Sequence, residues 1–324
     1  LTTNIMKHKL MLSLALTGIF GTFQCFGIPA NRMLMDGDWL FTQQESPGFE
    51  RVDFNSTGWM PVSLPHDWSV LNDFNRDEPS GNDGGYLPTG KGWYRRIVNI
   101  PAERVGKPTD LYFEGAYMNS TVYVNGKKVG GHPYGYSSFR CEVGPELKAG
   151  DNVIAVEVDN SRQKNSRWYT GSGIYRHVWL EPHGDVYVKP WSLRIKTPVV
   201  TAERGVALID FTIVDTDAKT AGQALKIPVT VSVGDRTLTD SVAILPGESL
   251  KYCSYEITVD RPDLWSPANP ALYTAEVTLS LPDGSKETEI EKFGFRTIEY
   301  SADGGFRLNG KPMLVTGACV HHDN

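Results

Sequence analysis

The sequence predicts an all-β protein: two consecutive β-sandwiches, the second immunoglobulin-like, followed by the first strand of a further domain. Three observations predict it. Short runs of alternating apolar and polar residues recur about every ten residues once the first thirty are passed. Turn formers separate these runs, with 32 glycines and 20 prolines in 324 residues. Helical periodicity is almost absent over the same stretch. The composition otherwise fits a globular chain, 40% hydrophobic and 22% charged, long enough for two or three domains. A net charge of −6, with no Lys/Arg cluster, argues against a nucleic-acid partner. Aromatic residues make up 11%. Most are expected in sheet cores, although such rings also form the platforms on which sugars stack.

The chain opens differently. Met6-Lys7-His8-Lys9 gives a basic start, and Leu10 to Phe23 is a mostly apolar, uncharged stretch of 14 residues. A bilayer span needs about 20 residues, so this length suits the core of a signal peptide instead. Cys25-Phe26-Gly27 places small residues where a signal peptidase would read. Residues 1–27 are therefore read as leader and signal peptide, and the protein as exported to the periplasm or beyond. A lipoprotein cysteine at Cys25 ranks lower, because Gln24 before it is a poor match. Leu1 in first place makes Met6 the candidate start. The remaining cysteines, Cys141, Cys253 and Cys319, are too widely spaced for a disulfide framework or a zinc site.

Residues 28–183 form the first sandwich. In "NVIAVEVDN", Ile154, Val156 and Val158 alternate with Ala155 and Glu157, as in a strand with one buried face. Val122-Tyr123-Val124 runs into Asn125-Gly126, a pair that favours positive φ and hence a tight hairpin. Residues 184–297 form the second sandwich. "VALIDFTIVDT" sets Ala207, Ile209, Phe211 and Ile213 against polar neighbours, and "LYTAEVTLSL" does the same with Ala275, Val277, Leu279 and Leu281. About seven such strands over about 110 residues fit an immunoglobulin-like architecture. Residues 298–324 change character. Asn309-Gly310 makes a turn, and Met313 to Cys319 reads as a buried strand of the central, parallel kind.

Several of these stretches together resemble glycoside hydrolase family 2. "GWYRR" (92–96), "VYVNGKKVGGHPYGYSSF" and "GSGIYRHVWL" are similar to the family's N-terminal jelly-roll domain. "LWSPANPALYTAEV" is similar to its immunoglobulin-like domain, and "GFRTIEYSADGGFRLNGKPMLVTGACVHHDN" to the entry into its (β/α)₈ barrel. The resemblance implies a jelly roll, an immunoglobulin-like sandwich and the first strand of an incomplete barrel. It also implies retaining hydrolysis of terminal β-galactosides, with a β-glucuronidase or β-mannosidase as the alternative specificities. In such a reaction one glutamic acid protonates the leaving oxygen and a second glutamate attacks the anomeric carbon. The family's acid follows an asparagine directly, and no Asn-Glu pair occurs in this chain. This reading makes the chain the first part of an enzyme, inactive by itself. A non-catalytic carbohydrate-binding protein is the rival class, and a structural adhesin a third. An oligosaccharide is the expected partner. No cofactor is assigned; a Mg²⁺ or Na⁺ ion and homo-oligomerisation are left open for a longer enzyme.

Candidate site residues follow. His321 and Asp323 are two apart, so in an extended strand they share a face while His322 points away. At the C-terminal end of a first barrel strand that face opens on the active site. The resemblance implies that His321 lines the sugar pocket, and a histidine that merely caps the strand is the alternative. A metal site is the weaker reading, since its other ligands would have to come from elsewhere. In "NSRWYTGSGIYR", Arg167 and Trp168 precede a glycine-rich turn. The matching loop in the family reaches the barrel mouth, whereas packing on the sandwich is the plain alternative. Asp83 lies in the long turn-rich segment 75–93, which the family places near substrate. "LPHDW" (64–68) reads as structural, with Asp67 bonding turn backbone and Trp68 in the core.

Overall fold

The computed structural model describes residues 32–166, 168–217 and 222–319. The expected leader, residues 1–27, lies outside them. Its first ten strands are β1 (Met33–Leu34), β2 (Trp39–Thr42), β3 (Met60–Val62), β4 (Gly90–Ile100), β5 (Thr109–Phe113), β6 (Ser120–Val124), β7 (Lys127–His132), β8 (Phe139–Glu142), β9 (Gly150–Asn160) and β10 (Val178–Pro182). They build two antiparallel sheets, in the orders β1-β10-β5-β8 and β3-β2-β4-β9-β6-β7. Inward side chains of both sheets, among them Trp39, Tyr94, Leu111, Phe113, Val122, Ile154 and Val156, make one core. Each such side chain contributes about 1.5–3 kcal/mol by leaving water. The hairpin β6–β7 turns on Asn125 and Gly126 at φ 51° and 85°, the left-handed pair that suits strand twist.

Strand β9 differs from expectation in one respect. Ala155 is as fully buried as Ile154 and Val156, so both faces are covered. The chain between β2 and β3 brings Phe49, Phe54 and Trp59 over the outer face, where they pack with Trp93, Tyr123 and Ala155. Alternation reports which side chains share a face; it does not report that a distant loop covers the other one.

The second sandwich contains β11 (Val186–Val188), β12 (Arg194–Val200), β13 (Arg204–Asp215), β14 (Leu225–Val233), β15 (Arg236–Ile244), β16 (Leu250–Asp260), β17 (Tyr273–Ser280) and β18 (Lys286–Phe293). In one sheet β16 runs along one edge of β13, and β12 and β11 share the other. The second sheet has the order β15-β14-β17-β18. Ile209, Phe211 and Ile213 face Val229, Val231, Val277 and Leu279 across a core that excludes water from all seven. A small meander follows, β19 (Ile298–Ser301), β20 (Gly305–Leu308) and β21 (Lys311–Pro312), turning at Asn309 and Gly310.

The segment after Pro312 is not a strand among the described residues. Residues 313–319 form no strand, and Leu314 and Val315 are 85% and 68% exposed. A buried parallel strand needs a paired neighbour, and the described residues provide none for it.

Replacing Ile209 with alanine opens a cavity among side chains that cannot collapse into it. The variant is expected to lose about 3 kcal/mol of stability, read as a lower urea midpoint by circular dichroism.

Candidate functional site

Three loops meet at the end of the first sandwich where β9 finishes and β4 begins. They are the connection from β3 to β4 (63–89), the β7–β8 loop (133–138) and the β9–β10 loop (161–177). Their roots are held by polar groups inside the molecule. Asp67 Oδ1 accepts the backbone N–H of Ser69 at 2.9 Å and of Ser172 at 2.8 Å, which joins the first loop to the third. Ser69 Oγ lies 2.6 Å from the Pro88 carbonyl and 2.7 Å from Ser172 Oγ. Asn160, at the last position of β9, donates to Ser172 Oγ at 2.8 Å. Asn165 in turn donates to Asn160 Oδ1 at 2.8 Å. Burial pushes the Asp67 carboxyl upward, and the N–H groups of Ser172, Ser69 and Val70 pull the other way.

The glycines of "GSG" allow that approach. A methyl on Gly171 would stand 1.9 Å from Asp67 Oδ2. Gly173 has φ +119°, and a methyl there would lie 2.4 Å from the Tyr94 hydroxyl. That hydroxyl is bonded to His66 Nδ1 at 2.8 Å, and Trp68 is 1% exposed, so "LPHDW" is structural.

Aromatic rings stand above these roots. Trp168 Nε1 donates to the Tyr136 hydroxyl at 2.9 Å across two loops. Tyr134 and Tyr117 both lie edge-on to Tyr136, with centroids 5.7 and 5.1 Å away. Burial, with Tyr136 as the next cause, pushes the Tyr117 phenol up to about 12. Tyr175 donates to the Gly135 carbonyl at 2.6 Å and fixes the loop that carries Tyr134 and Tyr136. Trp168, Tyr136 and Tyr134 are 50%, 48% and 57% exposed, so half of each ring stays open to a ligand. Tyr169 packs against Gly85 and brings the first loop alongside. There Lys164 Nζ pairs with Asp83 Oδ2 at 3.0 Å.

Of the residues expected from the sequence, Trp168 and Asp83 therefore come to one face. Asp83 is half-buried and engaged by Lys164 rather than free. Arg167, His321 and Asp323 lie outside the described residues. Tyr134, Tyr136, Lys164 and Asn165 were not singled out from the sequence. The "PYGY" run carried a signal, two aromatics in a Pro/Gly turn where no core position is available. Among the described residues no group of His, Cys, Asp or Glu is arranged to hold a metal.

Half-exposed rings in a hydrogen-bonded frame, beside amide, ammonium and carboxylate groups, have the chemistry of a sugar-binding surface. C–H faces of a pyranose pack on the rings, and its hydroxyls meet the polar groups. Comparison with known proteins gives the family. Residues 80–183 match the model of glycosyl hydrolases family 2, sugar binding domain, and residues 176–296 match that of glycosyl hydrolases family 2. The chain belongs to glycoside hydrolase family 2 and carries its sugar-binding and immunoglobulin-like domains.

A β-galactosidase of Bacteroides ovatus, BoGH2A, is 35% identical over 91% of this chain and 35% of its own length. A putative β-glucuronidase of Formosa agariphila is 36% identical over 88% of the chain and 27% of its own length. Among solved structures, a family 2 member from Bacteroides cellulosilyticus superposes with a TM-score of 0.82 at 32% identity, over 91% of this chain and 39% of that one. The chain thus spans about a third of the length of these relatives.

Asp67→Ala would leave two buried N–H groups without their acceptor. A loss of about 2 kcal/mol is expected, with faster amide exchange over 168–173 than over β4 and β9.

Proposed function

We propose that this chain supplies the N-terminal, carbohydrate-contacting part of a retaining exo-β-glycosidase that acts on terminal β-galactosides. The observation that carries the reading is the half-exposed Trp168–Tyr136–Tyr134 surface, set on the family's sugar-binding domain. Of the two curated relatives compared above, the one with the larger coverage of this chain is a β-galactosidase, which favours galactosides. Relatives described as β-glucuronidases keep glucuronides as the second reading.

In this scheme the aromatic surface packs against a sugar ring and Asn165 and Lys164 orient its hydroxyls. Bond cleavage falls to two glutamates outside this chain, the acid and the nucleophile, about 5–5.5 Å apart as retention requires. Residues 313–319 would enter the barrel as its first strand, and His321 and Asp323 would line its pocket. The chain acts after export, on the strength of the basic and apolar start from Met6 to Phe23.

Two outcomes are expected. The 324-residue chain shows no turnover of nitrophenyl β-galactoside or β-glucuronide above the uncatalysed rate, and enzyme-like turnover would refute the division of labour. Calorimetric titration with β-galactosyl oligosaccharides gives binding that Trp168→Ala weakens about fivefold, the equivalent of one lost ring contact worth about 1 kcal/mol. Equal affinities of variant and parent would remove Trp168 from the site.

A further inference from the structure

Two of the three loops around the ring surface are oppositely charged. The β9–β10 loop (161–177) holds Arg162, Lys164, Arg167 and Arg176 and no acid. The β3–β4 connection (63–89) holds Asp67, Asp73, Asp77, Glu78 and Asp83 against Arg76. The β7–β8 loop (133–138), which carries Tyr134 and Tyr136, has no charged residue. A loop of cations alone beside the rings would draw in sugars that bear carboxylate or sulfate groups. The acidic loop set against it changes that outcome.

Lys164 and Asp83 are where the two loops meet beside the rings. Lys164 Nζ lies 3.0 Å from Asp83 Oδ2 and 3.4 Å from Asn82 Oδ1. The lysine stem runs over Gly81, where a methyl would stand 3.2 Å from Lys164 Cε. Each partner is tied to the ring surface by its own route. Asn165, next to Lys164, accepts the Tyr117 hydroxyl at 3.4 Å, and the Tyr117 ring lies edge-on to Tyr136. Gly85, two residues from Asp83, packs against Tyr169, the neighbour of Trp168. The Lys164 and Asp83 side chains are 48% and 43% exposed, so both are open to a ligand on the rings.

We propose that Lys164 and Asp83 act together as a charge selector that admits neutral sugars to this surface and turns away anionic ones; the inference rests on the Trp168–Tyr136–Tyr134 surface being a sugar site. The hydrogen-bonding chemistry of the two ligand classes is the reason. An ammonium only donates and a carboxylate only accepts. A sugar hydroxyl does both, so neighbouring hydroxyls accept from Lys164 and donate to Asp83. A uronate carboxylate only accepts. It can approach Lys164, but it then stands beside a second anion whose charge cancels the attraction. The ion pair is exposed and contributes little by itself, so its strength does not select. Selection comes from the like charge set against the wrong ligand. Asp83 is then the residue that favours galactosides over glucuronides at this surface.

Calorimetric titration of the full chain with a matched pair of probes tests the selector. One probe is β-galactobiose, and the other is the same disaccharide with its terminal CH₂OH oxidised to a carboxylate. At low salt the parent chain is expected to bind the neutral probe more tightly. Asp83→Asn, which keeps the size of the side chain and removes its charge, should raise the acidic-to-neutral affinity ratio about fivefold, the effect of one uncompensated charge near the surface. That gain should vanish at about 1 M salt, where the screening length falls to about 3 Å. It should also be absent from the double variant Asp83→Asn/Lys164→Gln. A parent that binds both probes equally, an Asp83→Asn ratio equal to the parent's, or a gain that survives the loss of Lys164 would overturn the selector. Trp168→Ala in the same titrations separates the two readings. Parent-like affinity for both probes in that variant takes the rings out of the site, and the selector falls with them. Weakened binding there, with an unchanged ratio in Asp83→Asn, removes the selector alone.

Discussion

The Asp67 carboxylate is the point at which the outer loops become part of the sandwich. Ser69 and Ser172 both give it their backbone N–H, although 103 residues of chain separate the two serines. Without that acceptor each of the two loops would keep an orphaned donor, and the loop after β9 would lose its tie to the loop before β4. With it, Gly171 and Gly173 are drawn so close to Asp67 and Tyr94 that no side chain fits. The rings at the surface inherit their positions from this tie. Trp168 reaches Tyr136 because its loop leaves the core at Ser172, and Tyr169 reaches Gly85 for the same reason.

A division of labour follows between the loops and the sheets. The sheets of both sandwiches are built from strands whose inward residues are nearly all aliphatic or aromatic, so their stability comes from burial. The loops carry polar ties that contribute less energy but fix geometry, as side-chain–backbone bonds generally do. The aromatic surface proposed to hold a sugar needs both. Rings must remain half exposed to receive a ligand, and exposed rings supply little of the burial that would fix them. Their order is imposed instead by the indole–phenol bond of Trp168 and Tyr136 and by the Tyr175 bond beneath.

The junction between the sandwiches shows the converse arrangement. Here charge is buried, and burying it carries a desolvation cost that only close pairing offsets. Arg32 and Arg140 meet that demand in part, with Glu181 at their ends and aromatic faces along their planes, while Arg32 Nε and Arg140 Nη1 keep no hydrogen-bond partner among the described residues. Burial raises the Glu287 and Glu289 carboxyls, and for Glu289 repulsion from Glu287 is the next cause.

How much of this was legible in the sequence can be argued from particular residues. Ile209, Phe211, Val277 and Leu279 announced their burial through alternation, because a strand's geometry repeats every two residues whatever it packs against. Asn125-Gly126 and Asn309-Gly310 announced their turns, because positive φ is a local property. Asp67 and Trp68 were legible as structural, and Trp168 as a loop aromatic. By contrast, Ala155 gave no sign of its second cover, and Met313 to Cys319 reads as a buried strand it does not form among the described residues. The sequence by itself determined the local periodicities, the turns and the membership of glycoside hydrolase family 2. Only the tertiary structure decided which loop lies over which face, that Trp168, Tyr136 and Asp83 share one surface, and that Arg32 and Arg140 converge on Glu181. These are contacts between residues far apart in the chain, and no local rule of propensity or alternation encodes them.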